Sequence, residues 1–117
     1  MRYYAPDMLR LGILASHRGS NAQVVVEACR SGALPAHPAV VISNNSSAGV
    51  LQFAAAAGLP ALRIGGERFE DDAVRDRAIL EALESHRVDL GLLLGYLKLL
   101  GPRTLAAYRG RILNTHP

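Results

Sequence analysis

Residues 9–32 read LRLGILASHRGSNAQVVVEACRSG, and the order of residue types in them decides what kind of domain the chain builds. Residues 9–16 are an apolar run of strand length, HRGSN follows with polar groups and a glycine, and then Val24, Val25, Ala28 and Cys29 recur at helical spacing. Ser31 and Gly32 supply a stop. The product is a strand, a tight loop and a helix.

Downstream the arrangement repeats. AVVIS (39–43) reads as a buried strand, NNSS as a loop with a choice of N-caps, and AGVLQFAAAAG as a helix closed by Gly58. PALRI (60–64) is a third short strand set off by Pro60, and GGERFEDD leads to a helix over about residues 72–86. On that helix Val74, Ala78, Ile79, Ala82 and Leu83 share one face and Arg75, Asp76, Glu81 and Glu84 the other. VDLGLLLG (88–95) is nearly continuous in its apolar character, the pattern of a strand covered on both faces, and is expected near the sheet's centre. Pro102 opens a short helix, PRTLAAY, that Gly110 ends, and RILNT makes a fifth strand. The expected fold is α/β: a Rossmann-like parallel sheet of about five strands, helices on both faces, right-handed crossovers.

With 117 residues, 50% of them hydrophobic, the chain builds one core and therefore one domain. No apolar run approaches the roughly 20 residues of a membrane helix, and MRYYAPDMLR lacks the features of a secretory signal, so a cytoplasmic protein without membrane contact is expected. The single cysteine, Cys29, forms no internal disulfide and is read as a buried helix residue. Thirteen Lys and Arg against 10 Asp and Glu give a net charge of +3 without any long like-charge block. That dispersion argues against a nucleic-acid partner and for a small anionic ligand.

In parallel sheets ligands bind beyond the carboxyl ends of the strands, where strand order reverses. Polar clusters at residues 17–21, 43–47, 96–98 and 114–116 each follow a strand. In the first, Gly19 and Ser20 stand at a helix start beside Arg18, which suits a phosphate; an ordinary capped turn with Ser20 or Asn21 as N-cap is the competing reading. Asn114 and His116 are two apart, so on an extended strand both side chains point the same way, and Pro117 keeps His116 extended. An amide beside an imidazole can polarise a carbonyl and handle a proton near neutral pH; a solvated strand end competes. His86 at a helix C-terminus is read as complementing the dipole.

Taken together, LASHRGSNAQVVVEAC, AVVISNNSSAGVLQFAAAAGLPA and LLLGYLKLLGPRTLAAYRGRILNTHP, in that order and spacing, resemble the phosphoribosylglycinamide formyltransferase family of purine synthesis. The resemblance implies formyl transfer from 10-formyltetrahydrofolate, as co-substrate and without a metal, to the amine of glycinamide ribonucleotide. It implies that Gly19, Ser20 and Asn21 hold the acceptor's phosphate, that Tyr96, Leu97, Lys98 and Leu100 contact the folate, and that Asn114 and His116 are catalytic. Lys98 stands where the family more usually has arginine, putting a point charge in place of a planar fork. The family's chain continues past His-Pro and supplies an aspartate that assists His116, so residues 1–117 are expected to be the N-terminal domain with the C-terminal part absent. Asp89, before the fourth strand, is expected at the sheet's opposite end. Related 10-formyltetrahydrofolate hydrolases, methionyl-tRNA formyltransferases and a non-catalytic phosphate-ligand module are the alternatives. The last strand is expected at an edge, where residues 111–115 can support association such as a homodimer.

Overall fold

A computed structural model describes residues 8–45 and 48–115. Five strands, β1 (Leu9–Leu14), β2 (Ala36–Ser43), β3 (Ala61–Arg63), β4 (Leu90–Leu93) and β5 (Ile112–Asn114), form one sheet in the order β3-β2-β1-β4-β5. Every pairing is parallel. The helices between them are α1 (Ser20–Ser31), α2 (Gly49–Ala56), α3 (Asp72–Ser85) and α4 (Pro102–Ala107), with a 3-10 turn at Glu67–Phe69 before α3. The chain builds outward from β1 to β3 and then crosses back to β4, so strand order reverses between β1 and β4. That reversal opens a crevice at the carboxyl ends of these two strands.

The period of two along each strand divides the interior into two cores. Leu11 and Ile13 of β1 and Val41 of β2 pack with Ala22 and Val26 of α1 and Val50 and Ala54 of α2. Leu14, Val40 and Ile42 face the other way, toward Ile79 and Leu83 of α3 and Tyr108 beyond α4. The sheet is therefore covered on both faces, as the apolar runs require. β4 lies inside the sheet as expected, but the central strand is β1, with β4 second from the edge.

The largest departure from the sequence pattern is in the first turn of α3. Val74, expected inside, is 49% exposed, while Arg75 and Asp76, expected outside, are buried. Asp76 is turned inward by α4, whose preceding residue is a glycine and offers no side-chain cap. Its carboxylate accepts from the N–H groups of Arg103 (2.8 Å) and Thr104 (3.0 Å) and from the Thr104 hydroxyl (2.7 Å). Those amides would otherwise be orphans of the helix start. A Cβ on Gly101 would lie 2.3 Å from the Asp76 Cγ, so the approach requires glycine there. Arg75 donates to the Phe69 carbonyl at 3.0 Å and to Asp72 Oδ1 at 2.6 Å.

Candidate active site

The first cluster starts where β1 ends. Ala15 N–H donates to the Ile42 carbonyl (3.0 Å), carrying the ladder one residue beyond the strand. The chain then leaves the sheet through His17 and Arg18, both exposed. Neither Ser20 nor Asn21 caps the helix: the N-cap is Gly19, in the left-handed region at φ 67°, and no side-chain cap is made. Gln23 N–H bonds the Gly19 carbonyl at 2.8 Å, while the first amides of α1 have no partner within the helix. A cleft of about 370 Å³ lies there, lined by His17, Arg18, Gly19, Ser20 and Asn21 and, across it, by Leu94 and Gly95. Backbone donors, a helix N-terminus and the Arg18 charge give it the character of an anion site. The loop is seated on α2: Val50 N–H donates to the His17 carbonyl at 3.2 Å, and a Cβ on Gly19 would lie 2.4 Å from Val50 Cγ2.

A second pocket, about 400 Å³ and mostly apolar, lies beyond β4. Tyr96, Leu97, Lys98 and Leu100 line it together, and Asn114 of β5 joins them. Asn114 is brought there by register, since it pairs with Leu93, which also lines the pocket. Leu99 and Leu105 complete the wall. Strand alternation signals Leu93, but nothing local in the sequence marks Leu105, which arrives from α4. Tyr96 is buried, its hydroxyl has no hydrogen-bond partner among the described residues, and burial pushes the phenol up against the opposing charge of Arg75. Lys98 also borders a polar cleft that contains Asn44, Glu67, Glu70 and Arg75.

The two pockets are neighbours because of β4. Leu93 and Leu94 are consecutive and face opposite sides of the sheet, so the first lines the apolar pocket and the second the anion cleft. Gly95 and Tyr96 form the wall between them.

Other sequence candidates are elsewhere or outside the described residues. His116 and Pro117, like Ser46 and Ser47 of the second cluster, lie outside the described residues. Asp89 is at the opposite end of the sheet, as expected, where its carboxylate accepts from Arg10 N–H at 2.9 Å. His86 caps α3, with Nδ1 at 2.7 Å from the Ala82 carbonyl, matching its reading as a helix-end residue. Cys29 is buried and its thiol is pushed up by that burial. Among the described residues no three His, Cys, Asp or Glu side chains form a metal-holding group, and no helix is long and apolar enough to cross a membrane.

A doubly wound parallel sheet with a glycine-capped loop and cleft after its first strand and an apolar pocket after its fourth defines a Rossmann-like domain with two pockets at one switch point. Residues 9–117 match the formyl transferase family, and the chain belongs to it. It is 39% identical to the phosphoribosylglycinamide formyltransferase of Haemophilus influenzae, over 94% of this chain and 52% of that protein. The Bacillus subtilis protein of the same name is 33% identical, over 94% of this chain and 56% of its own length. Among solved structures, glycinamide ribonucleotide transformylase 1 from Symbiobacterium toebii superimposes with a TM-score of 0.90 at 38% identity, covering 100% of this chain and 55% of that one. The chain thus spans about half the length of these two relatives.

Proposed function

We propose that this chain acts as the N-terminal domain of a cytoplasmic, folate-dependent formyltransferase that moves the formyl group of 10-formyltetrahydrofolate to the amine of glycinamide ribonucleotide. The observation that carries this reading is the pair of pockets on the two sides of one strand end, Leu93 facing one and Leu94 the other. A flat heteroaromatic donor suits the apolar pocket, whose residues are mostly leucine with one buried tyrosine. The acceptor's phosphate suits Gly19, Ser20 and Asn21, where the unpaired amides of α1 and the Arg18 charge favour an anion. Each ligand's reacting end then meets the other near Gly95 and Tyr96.

In this reading the acceptor nitrogen forms a bond to the formyl carbon, the bond from that carbon to the folate nitrogen breaks, and one proton passes from the acceptor amine to the folate nitrogen. Negative charge grows on the formyl oxygen along the way, and the Asn114 amide, on the pocket's edge, is the group assigned to stabilise it. His116, two residues on, is assigned the proton on the strength of its spacing. Leu97, Leu99 and Leu100 exclude water from the donor, which strengthens each polar contact inside. Lys98, at the border of the polar cleft, is the charge available to the anionic tail of a folate.

The test is product analysis of the full-length protein supplied with both substrates. Formylated glycinamide ribonucleotide with release of tetrahydrofolate is the expected result. Formate alone would replace this reading with a hydrolase, and ligand binding without turnover would replace it with a binding module.

A further inference from the structure

We propose that Ser16 is a positioning residue that fixes the wall of the apolar pocket to the anion loop, and so sets where one ligand lies relative to the other; the inference rests on the two-ligand reading above. Ser16 is 1% exposed, and it follows the last residues of β1 just before the loop that carries Gly19. Its backbone N–H donates to the Gly95 carbonyl at 3.2 Å. Its hydroxyl accepts from Leu97 N–H at 2.7 Å and donates to Asn44 Oδ1 at 2.7 Å. An amide N–H can only donate and an amide oxygen can only accept, so the hydroxyl accepts from Leu97 and donates its one proton to Asn44 Oδ1.

Three loops therefore meet on one buried side chain. One carries the anion site, one carries Asn44 of the polar cleft, and one, residues 94–101, carries most of the apolar pocket. The last has no helix or strand of its own. Leu94 and Tyr96 seat its start in the two cores, but beyond them Leu97 and Leu99 are 61% and 87% exposed and give the Leu97 stretch little side-chain support. Its anchors to the end of β1 are Leu94 N–H on the Leu14 carbonyl at 2.9 Å and the two contacts with Ser16. The anion loop has supports besides Ser16, in Val50 and Gln23. Loss of the hydroxyl is therefore expected to loosen the apolar wall and to spare the anion loop. A serine that merely fills a core would weaken everything alike.

The experiment is site-resolved amide hydrogen exchange on the full chain without ligand, comparing the native protein with Ser16→Ala, followed by binding of folic acid and of ribose 5-phosphate. In Ser16→Ala the Leu97 amide is expected to exchange roughly tenfold faster while Val41 and Leu92 in the sheet stay unchanged. Folic acid is expected to bind roughly tenfold more weakly and ribose 5-phosphate within about twofold of native. Asn44→Asp, which keeps an acceptor for the hydroxyl, is expected to retain native exchange at Leu97. Asn44→Leu, which removes the acceptor and leaves Ser16 in place, is expected to move Leu97 in the direction of Ser16→Ala by a smaller factor and serves if Ser16→Ala does not fold. Unchanged exchange at Leu97, or faster exchange spread evenly over the sheet, would overturn the proposal. Failure of the native chain to bind folic acid would instead remove the folate reading, and the exchange at Leu97 would still decide the role of Ser16.

Discussion

The cleft at the start of α1 and the apolar pocket lie at the same end of the same sheet, one residue apart where β4 ends, and they are made of different material. The cleft is made of backbone: a left-handed glycine, the first amides of a helix and a loop seated on Val50. The pocket is made of side chains, several of them exposed, carried by a connection without regular structure. A backbone site is as rigid as the fold that holds it, and changing it disturbs the fold. A side-chain site can be altered at little cost in stability, so function and stability separate there. The expectations below probe that separation.

The largest effect is expected from Asn114→Ala in the full-length protein. The side chain is exposed, so stability should change little, while removal of one donor from a developing oxyanion lowers kcat about 10²- to 10³-fold. Measured kcat alongside urea unfolding checks both halves, and normal turnover would remove Asn114 from the chemistry. Next comes Asp76→Ala, which leaves two amides of α4 without their acceptor and the Thr104 hydroxyl with only the carbonyl of residue 76 at 3.2 Å, and should cost about 3 kcal/mol. Because α4 carries Leu105, folic acid binding should weaken in that variant more than binding of ribose 5-phosphate.

Gly19→Val is the mirror experiment. It forces a β-branched residue into φ 67° and against Val50, at a cost of about 2 kcal/mol, and should abolish ribose 5-phosphate binding while folic acid still binds. Loss of both ligands together would mean that the two sites do not separate.

Acid provides a smaller effect. Burial works against the ionised Asp76, but the Thr104 hydroxyl, the amides of Arg103 and Thr104 and the Arg103 charge outweigh it and hold the carboxyl below the usual aspartate range. A group depressed in the folded state contributes fully above its unfolded value, about 3.9, and the contribution is lost as pH falls through the folded value. Stability should therefore begin to drop as pH falls below about 5 and keep dropping until it has passed the depressed folded value, with a smaller slope in Asp76→Asn, as followed by urea unfolding. The smallest effect is Leu99→Ser: at 87% exposure it should shift stability by less than about 0.5 kcal/mol and weaken folic acid binding a few-fold.

How far the site was legible follows the same division. Gly19, Ser20 and Asn21, and Tyr96 to Lys98, follow strands, so a reading of strand ends finds them, while Leu100 was marked only by the family resemblance. Asn114 stands at a strand end as well and lines the apolar pocket, whereas the two-residue period that pairs it with His116 falls outside the described residues. Ser16 and Asn44 were not, because a serine and an asparagine at strand ends look like turn residues until their partner, 28 positions away, is known. Nor was the inward turn of Arg75 and Asp76, which helical periodicity placed in solvent, or the glycine cap that took the place of Ser20 and Asn21.

By itself, then, the sequence determined the alternation of strands and helices, the two apolar faces of the sheet and the family to which these motifs belong, because hydrophobic periodicity and turn chemistry act between near neighbours in the chain. Only the tertiary structure decided that β1 rather than β4 is central, that Leu93 and Leu94 divide two pockets between them, and that Asp76 and Ser16 are buried at the junctions of distant segments. A polar group's place is set by its hydrogen-bond partner, and where that partner comes from another part of the chain, no local pattern records it.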